Sequence, residues 1–175
     1  MKRSTFHRRG EQGFTLIEVM IALLVLSIGL LGLAGLQVTA LQNNQGAFMR
    51  SQATALAYDL ADRMRANVLG TISGNYIMAN AGADTDCGTA TGCTPQAMAQ
   101  NDLQDWTTSI ATYLPLGEGF VCIDSTPGDG ANATNPACDG IGTQWAIKIW
   151  WDENKDGVIT TTATSMERLE ISFQP

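Results

Sequence analysis

The feature that most constrains this chain is one acid inside a long apolar run. The run covers residues 14–36, and Glu18 is its fifth residue. From residue 19 to residue 36, eighteen consecutive residues carry no charge. As a helix, residues 14–36 would be about 35 Å long at roughly 1.5 Å per residue, enough to cross a bilayer. A carboxylate in hydrocarbon costs roughly 2–4 kcal/mol even on mild insertion scales, so Glu18 needs a partner. Ahead of the run, Lys2, Arg3, Arg8 and Arg9 make a basic leader. That flank predicts a cytoplasmic N-terminus and an extracytoplasmic remainder.

Three readings of the run compete. In the first it is the core of an ordinary secretory signal, cut after the small-residue stretch Val38-Thr39-Ala40. Its apolar core is long for that, and Glu18 has no role. In the second it is a plain membrane anchor, with Glu18 snorkelling to the interface. In the third the cut falls before the run, which then stays in the mature chain.

The hexapeptide Gly13-Phe14-Thr15-Leu16-Ile17-Glu18 resembles the class III signal of type IV pilins and type II secretion pseudopilins. Leader charge, glycine, phenylalanine, acid and apolar run all coincide. The resemblance implies that a prepilin peptidase cuts between Gly13 and Phe14 and methylates the new Phe14 amine. It also implies that Glu18 is the acid used in filament assembly. The physics is consistent, since cleavage makes an ammonium at Phe14. Within an apolar bundle, Glu18 of one subunit can pair with that amine on a neighbour, where the low dielectric strengthens the attraction. An unpaired partner would be costly, so the pair sets subunit register.

Removing residues 1–13 from 175 leaves 162 residues. About fifty of these read as one long helix, and the rest suffice for one small domain. The only histidine, His7, goes with the leader, which removes His-based triads and most zinc chemistry. The leader holds four of the ten Lys and Arg residues and one of the seventeen Asp and Glu residues. The mature chain keeps six against sixteen, a formal net of −10. Nucleic-acid binding needs a basic surface, so direct contact with nucleic acid is not expected. The chain also lacks a convergent enzyme signature, and we expect a protein that is not an enzyme.

Cys87, Cys93, Cys122 and Cys138 all fall in the extracytoplasmic part. Four cysteines allow three pairings. Cys87–Cys93 and Cys122–Cys138 are favoured, because each closes a local loop rich in Gly, Asn, Asp and Thr that has little else to hold it.

Further along, Ala53, Leu56, Ala57, Leu60, Ala61 and Met64 follow the i, i+3, i+4 pattern of an amphipathic helix. Asp59 and Arg63 are spaced for an i, i+4 pair. One helix over residues 14–66 is expected, with 14–36 as the transmembrane or filament-core part. Gly29, Gly32 and Gly35 recur within it. They suit close helix packing, or, as the resemblance implies, a stretch that unwinds when the subunit leaves the bilayer. Residues 67–175 then form the extracytoplasmic domain. In it we expect a short strand at 76–78, a helix at 95–114 with Met98, Leu103, Trp106, Ile110 and Leu114 at helical spacing, and a strand at 120–123. The alternation of Trp145, Ile147, Ile149 and Trp151 predicts another strand, as does that of Leu169, Ile171 and Phe173. This makes an α+β layer with the long helix on a small antiparallel sheet of three or four strands, which is also the pilin fold that the resemblance implies.

Arg63-Met64-Arg65-Ala66-Asn67, then Asp102-Leu103-Gln104-Asp105-Trp106, then Leu114-Pro115, look like the minor pilins of the PilV type, the type IV pilus modification proteins. These central motifs are looser than the N-terminal one. The resemblance implies a subunit held in the inner membrane before assembly and in the surface pilus, or fimbrium, afterwards. Its implied partners are the prepilin peptidase and N-methyltransferase, other minor pilins and the major pilin, the pilus assembly platform, and a tip adhesin. The implied role is to prime pilus assembly near the tip. The alternatives are a minor pseudopilin of type II secretion, a membrane-anchored calcium-binding module and a secreted enzyme.

Asp152-Glu153-Asn154-Lys155-Asp156-Gly157 matches the first half of an EF-hand-type loop. Asp152, Asn154 and Asp156 would supply side-chain oxygens for a structural calcium. The twelfth position is Ala163, so the closing carboxylate is missing unless Glu167 folds back. The other reading is a β-hairpin turn built on Asp156-Gly157. No other cofactor is expected.

Overall fold

The computed structural model describes residues 13–78, 82, 85–159 and 167–174. The basic leader and Ala163 lie outside the described residues. The chain divides into two compact units, Met1–Asn44 and Gln45–Pro175.

Within the first unit, helix α1 (Leu16–Ala66) begins and runs unbroken through Gly29, Gly32 and Gly35. It contains a stretch long and apolar enough to cross a membrane. Every side chain from Phe14 to Asn44 is exposed. An all-round apolar helix of this kind is stable in lipid or in a bundle of helices.

The second unit starts inside α1, at Gln45. Burial sets in at Gly46 and Met49 and continues through Ala53, Ala57, Leu60, Ala61 and Met64, all on one helical face. The short helix α2 (Val68–Ile72) follows, capped by the Asn67 side chain, which accepts the Gly70 N–H. The expected strand at 76–78 is absent. Tyr76 and Ile77 lie in a turn, and Tyr76 points its fully buried ring inward. Local β-propensity there is overridden by a hydrogen-bonded tertiary position for one tyrosine.

Helix α3 (Pro95–Tyr113) has Thr94 as N-cap and Pro95 in its first turn. It buries Ala99, Leu103, Trp106 and Ile110, while Met98, placed with them by spacing, is exposed. Among the described residues three strands follow: β1 (Glu118–Ile123), β2 (Trp145–Trp150) and β3 (Arg168–Phe173). They form an antiparallel sheet in the order β1-β2-β3.

The register divides the sheet into two faces. Rows Gly119–Ile149–Leu169, Val121–Ile147–Ile171 and Ile123–Trp145–Phe173 pack with α1 and α3 in one core. Gly119 is required by this packing: a Cβ there would stand 2.5 Å from Trp106 Cη2 and 2.6 Å from Ile110 Cδ1. The opposite rows carry Glu118–Trp150–Arg168, Phe120–Lys148–Glu170 and Cys122–Ala146–Ser172. All six residues of β2 are buried, so this second face is also covered. Its cover is the irregular segment 124–142, which makes a third layer.

Candidate functional site

At the N-terminal end of the first unit, Thr15 precedes α1. The Thr15 carbonyl accepts the N–H of Glu18 at 3.1 Å and of Val19 at 3.3 Å, and its Oγ1 lies 3.4 Å from the Glu18 nitrogen. Thr15-x-x-Glu18 thus has the spacing of a capping box. Glu18 is the acid of the first turn, where the helix dipole favours negative charge. Phe14 and Glu18 line one shallow apolar groove with Val19, Ala22, Leu23 and Leu26. A Cβ at Gly29, Gly32 or Gly35 would meet nothing within 4 Å. Those three positions offer open backbone to another helix.

In the second unit, the motifs at residues 63–67 and 102–106 fall at one junction, while Leu114-Pro115 lies at the other end of α3 and meets the start of the β2–β3 connection. Arg63 bonds Asp59 at 2.8 Å, the i, i+4 pair expected from sequence, and reaches Asp102 at 3.3 Å. Asp102 accepts the Tyr76 hydroxyl at 2.6 Å. The Asn67 amide donates to the Pro95 carbonyl at 2.7 Å and to the Tyr76 oxygen at 3.3 Å. Burial, and then the bond to the Asp102 carboxylate, push the Tyr76 hydroxyl pKa well above its usual value, so it stays a donor. Trp106 Nε1 donates to the Leu56 carbonyl at 3.0 Å. The Asp152 N–H donates to Pro115 at 2.9 Å. The junction is a structural knot that fixes how α1, α2 and α3 meet.

Cys87–Cys93 closes the loop before α3. The outer layer is held by side chains of the sheet, and Cys122–Cys138 ties β1 to segment 124–142. Lys148 rises from the middle of β2 into that segment. Its ammonium meets Asp124 Oδ2 at 2.6 Å, Asp129 Oδ1 at 2.9 Å, and the carbonyls of Pro136 at 2.8 Å and Asp129 at 3.2 Å. Arg168 Nη1 donates to the Gly130 carbonyl at 2.8 Å, and its Nη2 to that of Gly128 at 2.5 Å.

Two carboxylates of this layer titrate low. Hydrogen bonding from Lys148 holds Asp129 down, and hydrogen bonding from Ser125 does the same for Asp139. Their contribution is therefore present at neutral pH. It is lost as the pH falls through their lowered values. Asp124 lies beside both sulfurs of Cys122–Cys138, but disulfide sulfurs are not thiolate ligands for a metal.

The 152–157 loop opens the long connection from β2 to β3. It is not a tight hairpin turn, because Trp150 already pairs with Arg168 across that connection. Asp152, almost fully buried, accepts the N–H groups of Lys155 at 2.7 Å and Gly157 at 2.8 Å. Asn154 accepts the Asp156 N–H, and Asp156 that of Val158, both at 2.9 Å. Lys155 and Gly157 have positive φ. Glu153 leaves the loop to meet Arg50 of α1 at 2.8 Å, and Gly46 gives it room. All three oxygen-bearing side chains of the calcium pattern thus converge on one turn, where backbone N–H groups already use their oxygens.

Sequence reasoning missed Lys148, Asp124, Asp129 and Tyr76 as organising residues. Lys148 did leave a signal, as the one charged residue in the strand with the clearest apolar pattern. Asp124 and Asp129 left none, since a turn-rich loop supplies many such acids.

Two family models match the chain. Residues 8–34 match the prokaryotic N-terminal methylation motif. Residues 35–104 match the type IV pilin Tt1218 family. No curated protein and no solved structure matches.

Proposed function

We propose that this chain, a type IV pilin by its N-terminal methylation motif and its Tt1218-like region, is a minor pilin of the PilV type that primes pilus assembly near the tip. The observation that carries this reading is Glu18 in the first turn of α1, at the head of an apolar stretch with no other charge from residue 19 to residue 36. Nothing in a plain anchor or an ordinary signal peptide calls for that acid.

In this reading the prepilin peptidase removes residues 1–13 and methylates Phe14. The subunit waits in the inner membrane with its N-terminus cytoplasmic and its stapled domain periplasmic. On assembly, residues 14–36 enter the filament core and Glu18 pairs with the Phe14 amine of a neighbour. Arg63, Asn67 and the Asp102–Trp106 stretch support the PilV type through the junction they build. The domain then contacts other minor pilins, the major pilin and a tip adhesin.

Mass spectrometry of the mature N-terminus tests the proposal. A chain starting at N-methylated Phe14 is expected. A chain starting at Leu41 would mean ordinary signal-peptide removal and would end the pilin reading of the N-terminus. Assembly on a type II secretion platform instead of a pilus would convert the reading to a pseudopilin.

The loop at Asp152, Asn154 and Asp156 carries a second, smaller proposal, a structural calcium shared with the turn's own N–H groups. Calorimetry on the full chain in detergent decides it. The expected result is heat of binding at millimolar calcium that Asp156→Ala abolishes. No heat would leave the loop as a self-capped turn.

A further inference from the structure

Under the outer layer, a lysine and an aspartate stand at ion-pair distance and shut off from water. The side chains of Lys148 and Asp124 are both 0% exposed, and Nζ lies 2.6 Å from Asp124 Oδ2. Yet Oδ2 makes no hydrogen bond, so the approach lies off the hydrogen-bond axis. The other oxygen, Oδ1, is engaged differently. It accepts the Thr126 N–H at 3.0 Å and the Thr126 hydroxyl at 3.4 Å. One oxygen of the carboxyl is thus held as a carbonyl would be, and the other faces the amine without a donor of its own.

A second acid completes the group. Asp129 Oδ1 is 2.9 Å from the same Nζ, and Asp129 Oδ2 accepts the Thr126 hydroxyl at 3.0 Å. The carbonyls of Pro136 and Asp129 hold Nζ in place. Trp150, on the same sheet face as Lys148, is fully buried.

We propose that Lys148 and Asp124 condense into an intramolecular amide, Nζ to Cγ, that joins β2 to the segment leaving β1. The balance closes without any other reagent. An ammonium and a carboxylate contain the atoms of one amide and one water, and their charges cancel. Asp129 takes a proton from Nζ, the neutral amine attacks Cγ, and the N–C bond forms. The C–Oδ2 bond then breaks, with the Asp129 proton and a second proton from nitrogen carried to Oδ2, which leaves as water. Asp129 ends as it began.

Three physical features favour the step. Fixed geometry makes it effectively unimolecular. Condensation replaces a buried ion pair, whose desolvation is costly, with a neutral amide. Exclusion of water slows the reverse hydrolysis. This argument rests on the sheet and its cover, independently of the filament reading.

The test is the mass of the purified full chain after reduction and denaturation. The expected chain is lighter than its sequence by one water, and its digest contains the Lys148 and Asp124 peptides joined. Lys148→Arg, whose guanidinium stays protonated, should show the full mass. Asp129→Asn, changed at a half-exposed position, should fold and lose the link. A wild-type chain of full mass overturns the proposal. So does a missing water that maps to Asp129-Gly130, Asp139-Gly140 or Asp156-Gly157, where succinimide formation gives the same mass change. A fully linked Asp129→Asn chain would overturn the relay through Asp129.

Discussion

Replacing Glu18 with valine should leave the chain processed and held in the membrane, but reduce its recovery in sheared pili by about 100-fold or more. The magnitude follows from the proposed assembly. In it, loss of Glu18 would strand the Phe14 ammonium of a neighbour in an apolar bundle, and breaking a buried pair by removing one partner costs about 3–5 kcal/mol. Each 1.4 kcal/mol is about a factor of ten in an equilibrium. Glu18 also sits in the first turn of α1, where its charge contributes about 0.3–1 kcal/mol through the helix dipole. That smaller effect is present in the membrane-held subunit as well, so it does not favour one state. Immunoblots of pili against membranes give the ratio. Equal recovery of the variant and the natural chain would remove Glu18 from assembly.

The second large effect is expected at Trp106. Its side chain is 1% exposed, packs across Gly119, and donates to the Leu56 carbonyl. Trp106→Ala should destabilise the second unit by about 3–5 kcal/mol, much of the roughly 5–15 kcal/mol that holds a small domain together. Denaturant unfolding of the full chain in detergent, followed by circular dichroism, reads this as a lower midpoint. Gly119→Ala alone should also destabilise, because its methyl group meets the Trp106 ring and Ile110. In the Trp106→Ala background that penalty should shrink, and the two changes should not add. Full additivity would mean that the contact between them carries no energy.

The parts of the fold that sequence made legible are those with a period. The apolar positions of α1 from Ala53 to Met64, the Trp145–Trp150 strand and the Leu169–Phe173 alternation all sit where spacing put them. Spacing also led to the two local cysteine pairs, which are closed in the structure. Other features depend on distant partners and leave no periodic trace. Tyr76 reads as strand-forming, yet it turns inward because Asn67 and Asp102, nine and twenty-six residues away, hold its hydroxyl. The second face of the sheet was equally hidden. A lysine within an apolar strand suggests an open face, and only Asp124, Asp129 and Pro136 together show that it is roofed. The second half of α1 was legible for the same reason as the strands: its apolar residues from Ala53 to Met64 follow one face, and burial begins just ahead of them at Gly46 and Met49.

The irregular roof over β2 has a consequence for how this protein can vary. Its residues 124–142 contribute no rung to the sheet and no side chain to the helix-facing core. They are attached at separate points: a disulfide, Lys148, Arg168, the Glu118 carboxylate, and backbone bonds to Ile123 and Gln144. Between those points their lengths and surface residues are free to drift without disturbing α1, α3 or the strand register. A lineage of such subunits could renew the surface it shows to partners or hosts while the packed interior stays the same.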